Sequence, residues 1–236
     1  MDRKVFICGD THGDYDIHKL ITFNKAHPEL TKEDYVIVAG DFGLIFAPFA
    51  DTQEENTLRE VYRKFKFTTL FIDGNHENFT RLFSLGIVEK FDGIVGVVSD
   101  DIFYLKRGNI YNINGKSIFT FGGGYSIDIA RRTEGISYWK EELPNHQDYK
   151  NGLDSLEEAE YNIDYVITHT CPTSIFEQLH TYKASISQPE ENLREYLEQI
   201  KNTAIFKHWY FGHFHDDIDI GDKFSMLYAK APIELI

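Results

Sequence analysis

The chain has 236 residues, of which 42% are hydrophobic, and this is enough for a large core and a single α/β domain over residues 1–236. Its formal charge is −14, from 38 acidic and 24 basic residues, whereas a protein that binds extended nucleic acid normally carries a basic face. No run of the sequence approaches the ~20 apolar residues of a membrane-spanning helix, so no membrane association is expected.

The two cysteines, Cys8 and Cys171, are too few for the disulfide framework of a small secreted domain. The apolar run that follows Arg3-Lys4 is also too short for the hydrophobic region of a signal peptide. We therefore expect a cytoplasmic protein with two reduced, structural thiols. Because each cysteine lies beside a block of candidate ligands, a catalytic or metal-binding thiol is the alternative, and the two sulfur atoms could also be in contact.

The first third of the chain alternates predicted strands and helices. Apolar, β-prone runs at residues 5–8, 35–39 and 70–72 predict three strands. A helix is predicted to begin at Asp14, which would either cap it or lie next to the candidate ligands, and a second helix is predicted around residues 58–65. This βαβαβ order predicts right-handed crossovers and a parallel central sheet.

The rest of the chain mixes strands and helices. Residues 108–121 are typical of two strands joined at Asn114-Gly115, which is a strong signal for a β-hairpin. The remaining predictions are helices at residues 153–161 and 189–201 and strands at 165–167, at 209–211, near 218 and at 224–229.

Five short blocks that contain Asp, Asn or His follow the ends of predicted strands. One such block could arise by chance, but five of them predict one site, because ligands of open α/β sheets bind at the carboxyl ends of the strands. The blocks are Gly9-Asp10-Thr11-His12-Gly13, Gly40-Asp41-Phe42-Gly43, Gly74-Asn75-His76-Glu77, Thr168-His169-Thr170 and Gly212-His213-Phe214-His215.

The side chains of these blocks are of the types that bind metal ions. Asp10 and His12 alternate by two, so in an extended chain both point to the same side. The two oxygens of Asp41 can bridge two ions. The set contains two carboxylates, one amide and four imidazoles, which suits manganese, iron, zinc or nickel and offers calcium too much nitrogen. The seven candidate ligands are Asp10, His12, Asp41, Asn75, His169, His213 and His215.

The blocks Asp-x-His-Gly, Gly-Asp, Gly-Asn-His-Glu, His and Gly-His-x-His, in this order, resemble the signature of the calcineurin-like metallophosphoesterases. All five are intact between Asp10 and His215. The resemblance implies an α/β fold in four layers, in which two mixed β-sheets pack face to face with helices outside. It also implies two divalent metal ions, for which we expect manganese, with iron, zinc and nickel as alternatives.

The resemblance further implies a role for each side chain. Two cations roughly 3.5–4 Å apart would lower the pKa of a shared water, and the resulting hydroxide would attack the phosphate ester. His76 would be catalytic, either donating a proton to the leaving oxygen or hydrogen-bonding the phosphoryl group, and its alternative role is to orient a ligand. The implied ligand sets are Asp10, His12 and His215 for one ion, Asn75, His169 and His213 for the other, and Asp41 between them.

Several neighbouring residues are predicted to have other roles. Asp73 is expected to serve a turn at a strand end, and Glu77 is expected to hydrogen-bond a histidine. The histidines predicted to lie away from the site are His18, His27, His146, His180 and His208.

The features that select the substrate differ from those of the protein serine/threonine phosphatases in this family. The second block lacks their Asp-Arg-Gly continuation, and Arg81 does not match the spacing of their second arginine. Instead, Arg131 and Arg132 follow the glycine turn at residues 122–124 and are predicted to bind the phosphate. The alternative is a solvated basic pair. This segment, with Trp139, resembles one in small bacterial and phage-borne members of the family.

The leading hypothesis is therefore a dimetal phosphomonoesterase that acts on a small phosphorylated substrate or a phosphoprotein. A phosphodiesterase or nuclease acting on cyclic nucleotides or nucleic-acid ends is the alternative. A third hypothesis is a non-catalytic scaffold on the same fold, but such a protein would be expected to have lost ligands or His76.

Overall fold

Two mixed β-sheets form the centre of the fold in the computed structural model, which describes residues 3–179 and 188–236. Within these ranges, the strands of the first sheet are β1 (Val5–Cys8), β2 (Tyr35–Val38), β3 (Thr68–Phe71), β4 (Gly86–Lys90), β5 (Gly93–Ser99), β6 (Ile102–Leu105) and β13 (Ile233–Glu234). Those of the second sheet are β7 (Asn109–Ile113), β8 (Lys116–Phe121), β9 (Tyr165–Thr168), β10 (His208–Phe211), β11 (Ile218–Ile220) and β12 (Phe224–Met226). The spatial orders are β13-β1-β2-β3-β6-β5-β4 and β11-β12-β10-β9-β8-β7.

Parallel strands occupy the middle of each sheet, and antiparallel strands lie at the edges. In the first sheet β1, β2, β3 and β6 are parallel, as the βαβαβ pattern predicted, whereas β4, β5 and β13 run antiparallel to their neighbours. In the second sheet β8, β9, β10 and β12 are parallel. The carboxyl ends of β1, β2, β3, β9 and β10 are therefore the ends that carry the five polar blocks.

Helices cover the outer face of each sheet. Along β1, Val5 and Ile7 belong to a cluster between the two sheets, while Phe6 and Cys8 face outward. Burial on both faces explains why the parallel strands are continuous apolar runs. The four-layer α/β fold is confirmed. The helices of the described residues are α1 (His18–Ala26), α2 (Gln53–Arg63), α3 (Phe79–Leu82), α4 (His146–Glu158), α5 (Thr173–Phe176) and α6 (Gln188–Thr203).

Two predicted helix starts are wrong. The helix expected from Asp14 begins four residues later, after Ile17, and Asp14 is exposed. The helix expected at residues 153–161 is α4, which already begins at His146 because the Asn145 side chain accepts hydrogen bonds from two backbone N–H groups of its first turn.

The predicted hairpin is confirmed. Strands β7 and β8 pair antiparallel, and the turn residues Asn114 and Gly115 have φ angles of 51° and 78°, which a two-residue turn of this kind requires. The late strand predictions near 218 and 224–229 correspond to β11 and β12, which also pair antiparallel. That residues 1–236 form one domain stays a prediction.

The two cysteines are buried in different layers. Cys8 lies in the cluster between the first sheet and its helices, and Cys171 lies in the corresponding cluster of the second sheet. Burial raises the pKa of both thiols, that of Cys8 to about 11. This placement fits the expected structural role and separates the two sulfur atoms. Every helix in residues 3–179 and 188–236 is too short or too polar to cross a membrane.

Candidate metal centre

Four predicted ligands converge where the loops after β1, β2 and β10 meet. Asp10, His12, Asp41 and His215 each offer one ligand atom, and these atoms all lie within 4.8 Å of one another. His12 Nε2 is 3.3 Å from Asp41 Oδ2, and His215 Nε2 is 3.4 Å from Asp10 Oδ2. These contacts place two imidazoles and two carboxylates around one point.

A second group lies on the other side of Asp41. His169 Nε2 is 3.4 Å from Asp41 Oδ1 and 3.2 Å from Asn75 Oδ1, and all three side chains are buried. The ring of His213 lies 4.9 Å from the ring of His169, centroid to centroid. This group contains the three residues that the resemblance assigned to the second ion, together with the shared Asp41.

Asp41 connects the two groups through different oxygens. Oδ2 faces His12 of the first group, and Oδ1 faces His169 of the second. Oδ1 also accepts hydrogen bonds from the backbone N–H groups of Asn75 and His76, both at 2.8 Å, so the carboxylate is held in this orientation. The arrangement is the one that a bridging carboxylate needs.

Four of the predicted ligands have a left-handed backbone conformation. The φ angles are 42° for His12, 46° for Asp41, 71° for His213 and 54° for His215. Residues other than glycine rarely adopt such angles, and they cluster at functional sites because the surrounding structure must hold them. The strand exits are therefore bent sharply, and extended-chain alternation alone does not describe how these side chains converge.

Glycines make room for the carboxylates. A Cβ atom on Gly74 would lie 2.2 Å from Asp41 Oδ1, and one on Gly212 would lie 2.0 Å from Asp10 Oδ1. Backbone therefore packs directly against the carboxylate oxygens, which explains why glycine precedes Asn75 and His213 in the sequence.

The two carboxylates are ionised. Burial opposes the charge on Asp41, but His169, His76 and His12 outweigh it and hold the pKa of Asp41 well below its usual range. Burial also opposes the charge on Asp10, but the hydrogen bond from His215 and the charges of His169 and His12 together outweigh it and lower the pKa of Asp10. Ionised carboxylates beside imidazole nitrogens and an amide oxygen fit divalent cations of the manganese, iron and zinc type. The identity of the metal stays a prediction.

The amide of Asn75 is oriented by a residue that the sequence did not single out. Asn75 Nδ2 donates a hydrogen bond to Ser126 Oγ at 3.1 Å, and this turns Oδ1 towards His169. Gly124 lies against the same group, since a Cβ there would be 3.1–3.2 Å from atoms of His169, Asn75 and His213. The glycine turn thus packs on the site itself.

A similar role belongs to Asp16, which was also not predicted. Asp16 Oδ2 is 2.8 Å from His12 Nδ1 and leaves Nε2 directed at Asp41. The hydroxyl of Tyr228 contacts the other oxygen of Asp16 at 3.3 Å. Asp16 lies four residues after His12 in the sequence. This spacing alone does not predict the contact, because it depends on the turn between the two residues.

A cavity of about 910 Å³ opens beside the first group. His76 lies in its wall, with its ring centroid 5.5 Å from that of His12 and 6.1 Å from that of Phe46. Burial lowers the pKa of His76, and the positive charges of Arg132 and His12 add to this effect. No Lys or Arg lines the cavity in the described part of the chain.

The two predicted phosphate-binding arginines differ in environment. Arg131 is exposed, whereas Arg132 is partly buried and its charge affects the pKa of His76. Arg132 Nε is 2.6 Å from Asp128 Oδ1, and its Nη1 donates to the backbone oxygen of Ser137 at 3.1 Å. Of the two, Arg132 is therefore the one near the site.

Glu77 is fully buried, and among the described residues its hydrogen-bond partners are not histidines. Its carboxylate accepts hydrogen bonds from the backbone N–H groups of Phe42 and Gly74, both at 2.7 Å. It therefore joins the loops after β2 and β3, and the predicted histidine bond is wrong.

Asp73, for which a turn role was predicted, forms a buried ion pair with Arg107. It accepts hydrogen bonds from the Tyr104 hydroxyl at 2.7 Å and from Arg107 Nε at 2.8 Å, and all three residues are buried. The sequence did not predict this ion pair, because its two charges lie 34 residues apart.

Two of the histidines predicted to lie away from the site have other partners. His208 Nε2 is 2.9 Å from Ser225 Oγ, and His27 Nδ1 is 2.9 Å from Glu29 Oε1. Neither belongs to the cluster of ligand atoms around Asp41. His180 lies outside the described residues. That the seven residues bind metal, and how they divide between two ions, stays a prediction.

Comparison with known proteins identifies the family of this chain. The calcineurin-like phosphoesterase family matches residues 3–217. The sequence matches none of the curated proteins with which it was compared. Among solved structures, the fold is similar to Thermus thermophilus sulfate thiohydrolase SoxB in complex with glycerol, with 11% identity and a TM-score of 0.45. That match covers 98% of this chain and 52% of the SoxB chain, so the chain spans about half the length of that structure.

The family match and the cluster around Asp41 agree with the order of the five polar blocks. The chain belongs to the calcineurin-like phosphoesterase family, whose members are metal-dependent phosphoester hydrolases with a dinuclear metal centre.

Proposed function

We propose that the chain is a phosphomonoesterase that uses two manganese ions and acts on a small phosphorylated substrate. The observation that carries this proposal is the position of Asp41, whose two oxygens face two separate groups of ligand side chains. A carboxylate shared in this way is the central element of a two-metal hydrolytic site.

The chain's own residues would hold and serve the metal ions. When bound, two divalent cations supply an activated water and neutralise charge on the phosphoryl group. Asp16 and Ser126 keep the imidazole of His12 and the amide of Asn75 turned towards the centre. The proposed ligand sets are Asp10, His12 and His215 for one ion, Asn75, His169 and His213 for the other, and Asp41 for both.

His76 is proposed to act on the substrate itself. Its ring lies in the cavity wall beside His12, while its backbone N–H is tied to Asp41 Oδ1. A ring nitrogen in this position can donate a hydrogen bond or a proton to the leaving oxygen of a phosphate ester. Arg132, whose charge acts on His76, is proposed to contact the phosphoryl oxygens.

The cavity favours a monoester. It opens next to the metal centre, and its lining contains apolar residues such as Leu44 and Phe46, which suit the organic group of a phosphate ester. A nucleic-acid strand is polyanionic and is normally held by a groove of Lys and Arg side chains. The absence of such side chains from the described cavity lining therefore supports a small monoester over a nucleic-acid end.

The test compares two esters with the same leaving group. Manganese-loaded protein is assayed with p-nitrophenyl phosphate and with bis(p-nitrophenyl) phosphate, so that only the number of ester bonds differs. We expect the larger kcat/KM for the monoester and no turnover of either by Asp41→Asn. A larger kcat/KM for the diester would overturn the assignment in favour of the phosphodiesterase alternative.

A further inference from the structure

A buried carboxylate of α6 points at a predicted ligand of the second ion. Glu190, in the first turn of that helix, is 3% exposed. Its Oε1 lies 3.4 Å from His213 Nε2 and forms no hydrogen bond among the described residues. Leaving a buried acceptor unpaired destabilises the folded protein, so the position of this oxygen calls for an explanation.

The other carboxylate oxygen already has a structural role. Glu190 Oε2 lies 2.7 Å from Arg194 Nη1, one turn along α6, and the guanidinium of Arg194 packs 4.5 Å from the ring centroid of Phe176. This ion pair explains why a charge at residue 190 can be buried. It does not explain why the second oxygen faces an imidazole of the metal centre.

Two other histidines of the centre show what such an acceptor does. His12 Nδ1 faces Asp16 Oδ2 at 2.8 Å, and His169 Nδ1 faces the backbone oxygen of Ala39 at 2.9 Å. In both rings the opposite nitrogen, Nε2, is directed at Asp41. An acceptor on one ring nitrogen fixes the hydrogen there and leaves the other nitrogen free for a metal ion.

We propose that Glu190 is the positioning residue for His213. It accepts a hydrogen bond from Nε2 and leaves Nδ1 of that ring as the donor to the second metal ion. The hydrogen bond orients the ring and makes it a better ligand, and it satisfies the unpaired carboxylate oxygen. The N···O distance is expected to shorten to about 2.9 Å once the ring binds a metal ion.

The proposal rests on the proposed two-metal function, but it can fail independently. The measurement is Mn²⁺ binding by isothermal titration calorimetry, without any substrate. If the unchanged protein bound fewer than two ions, the proposed function would fail. If it bound two ions and removal of Glu190 changed neither binding step, only the role of Glu190 would be overturned.

Three variants separate positioning from a purely structural role. Glu190→Ala is expected to weaken one of the two Mn²⁺ binding steps by about 10–100-fold and to leave the other unchanged. Glu190→Gln keeps an acceptor oxygen for only one of the two donors, Arg194 or His213, and is expected to weaken the same binding step less than Glu190→Ala does. Arg194→Ala breaks the same ion pair without touching His213, so it is expected to lower the melting temperature while both binding steps persist.

Two results with these variants would contradict the proposal. Equal loss of Mn²⁺ affinity in Arg194→Ala and Glu190→Ala would show that only the fold of α6 matters. Equal loss of Mn²⁺ affinity in Glu190→Gln and Glu190→Ala would show that the hydrogen bond to His213 does not contribute to metal binding. The exposed neighbour Glu191→Gln is the control for a change of charge at the start of this helix.

A measurement on the unchanged protein keeps the proposal testable if a variant does not fold. In protein loaded with Zn²⁺ as a diamagnetic probe, nitrogen NMR of the imidazoles is expected to show zinc on Nδ1 of His213 and hydrogen on Nε2. Zinc bound to Nε2 would overturn the assignment.

Discussion

At the scale of single residues, the centre depends on side chains with two separate contacts each. Asp41 faces His12 with one oxygen and His169 with the other. Asn75 directs its amide nitrogen to Ser126 and its amide oxygen to His169. Because each contact involves a different atom of the side chain, a substitution that replaces only that atom tests the role of that contact.

Asp41→Asn changes one carboxylate oxygen to a nitrogen. We expect the loss of both metal ions and of phosphatase activity together, because a neutral amide cannot bridge two cations. Elemental analysis of the purified variant and assays with p-nitrophenyl phosphate measure the two effects. Asp154→Asn, a change at an exposed ion pair, is the control. A variant that kept both ions and full activity would remove the bridging role.

His76→Ala removes the ring beside the metal centre without removing a predicted ligand. Turnover is expected to fall by roughly 10²–10⁴-fold, the usual range for a general acid–base group, with metal content near normal. Steady-state kinetics and elemental analysis provide the measurements, with His27→Ala as a control for loss of a histidine. If metal loss accompanied the drop in turnover, His76 would instead be a residue that orients ligands.

The two arginines after the glycine turn provide a matched pair. Arg132→Ala is expected to raise KM by about 10–100-fold, as for loss of a hydrogen bond to a charged group, while exposed Arg131→Ala leaves KM unchanged. Steady-state kinetics with p-nitrophenyl phosphate measures both. Unchanged KM in both variants would exclude this pair from phosphate binding.

At the scale of secondary-structure elements, buried acidic and basic side chains connect the loops that follow the strands. Glu77 joins the loops after β2 and β3 through two backbone N–H groups. Arg107, between β6 and β7, pairs with Asp73 after β3 and also donates to the backbone oxygen of Glu141 at 2.8 Å. These contacts hold the loop after β3, which carries Asn75 and His76, against the rest of the centre.

Removal of Arg107 tests this connection. Arg107→Ala leaves the Asp73 carboxylate buried without its cation, which is expected to lower the free energy of unfolding by about 3–5 kcal/mol. Urea denaturation followed by circular dichroism measures the change. Arg63→Ala, in the exposed pair with Glu60, is the control and is expected to have little effect. Equal stability of the two variants would contradict a stabilising role for the buried pair.

At the scale of the whole molecule, local patterns determined what could be predicted. The parallel strands, the Asn114-Gly115 hairpin and the order of the five blocks are visible in the sequence, because each depends on neighbouring residues. The start of α1 at His18 was missed because Asp14 has the chemistry of a cap but not the position. The contact between Glu190 and His213 could not be predicted, since it depends on how α6 packs.

The stability of the whole chain should depend on pH through Glu142. Burial raises the pKa of this carboxyl from 4.5 to about 7, although its side chain accepts hydrogen bonds from Ser126 N and Trp139 N. The folded protein therefore binds this proton more tightly than the unfolded chain does. The resulting stabilisation is present in full below pH 4.5 and is lost as pH rises to about 7.

Glu142→Gln removes this titration. The free energy of unfolding of the variant, measured by urea denaturation, is expected to fall less between pH 4.5 and pH 7 than that of the unchanged protein. Exposed Glu141→Gln is the control and should follow the unchanged protein. Parallel pH profiles for Glu142→Gln and the unchanged protein would contradict the prediction.

The left-handed angles at His12, Asp41, His213 and His215 have a consequence for engineering. Glycine would accept the same main-chain shape without penalty, but it has no atom to offer a cation. At these four positions glycine would relieve the backbone strain, but it has no side chain that could bind a metal ion. A search for a more heat-resistant variant therefore has to spare the strand exits and work on the helices that cover the sheets.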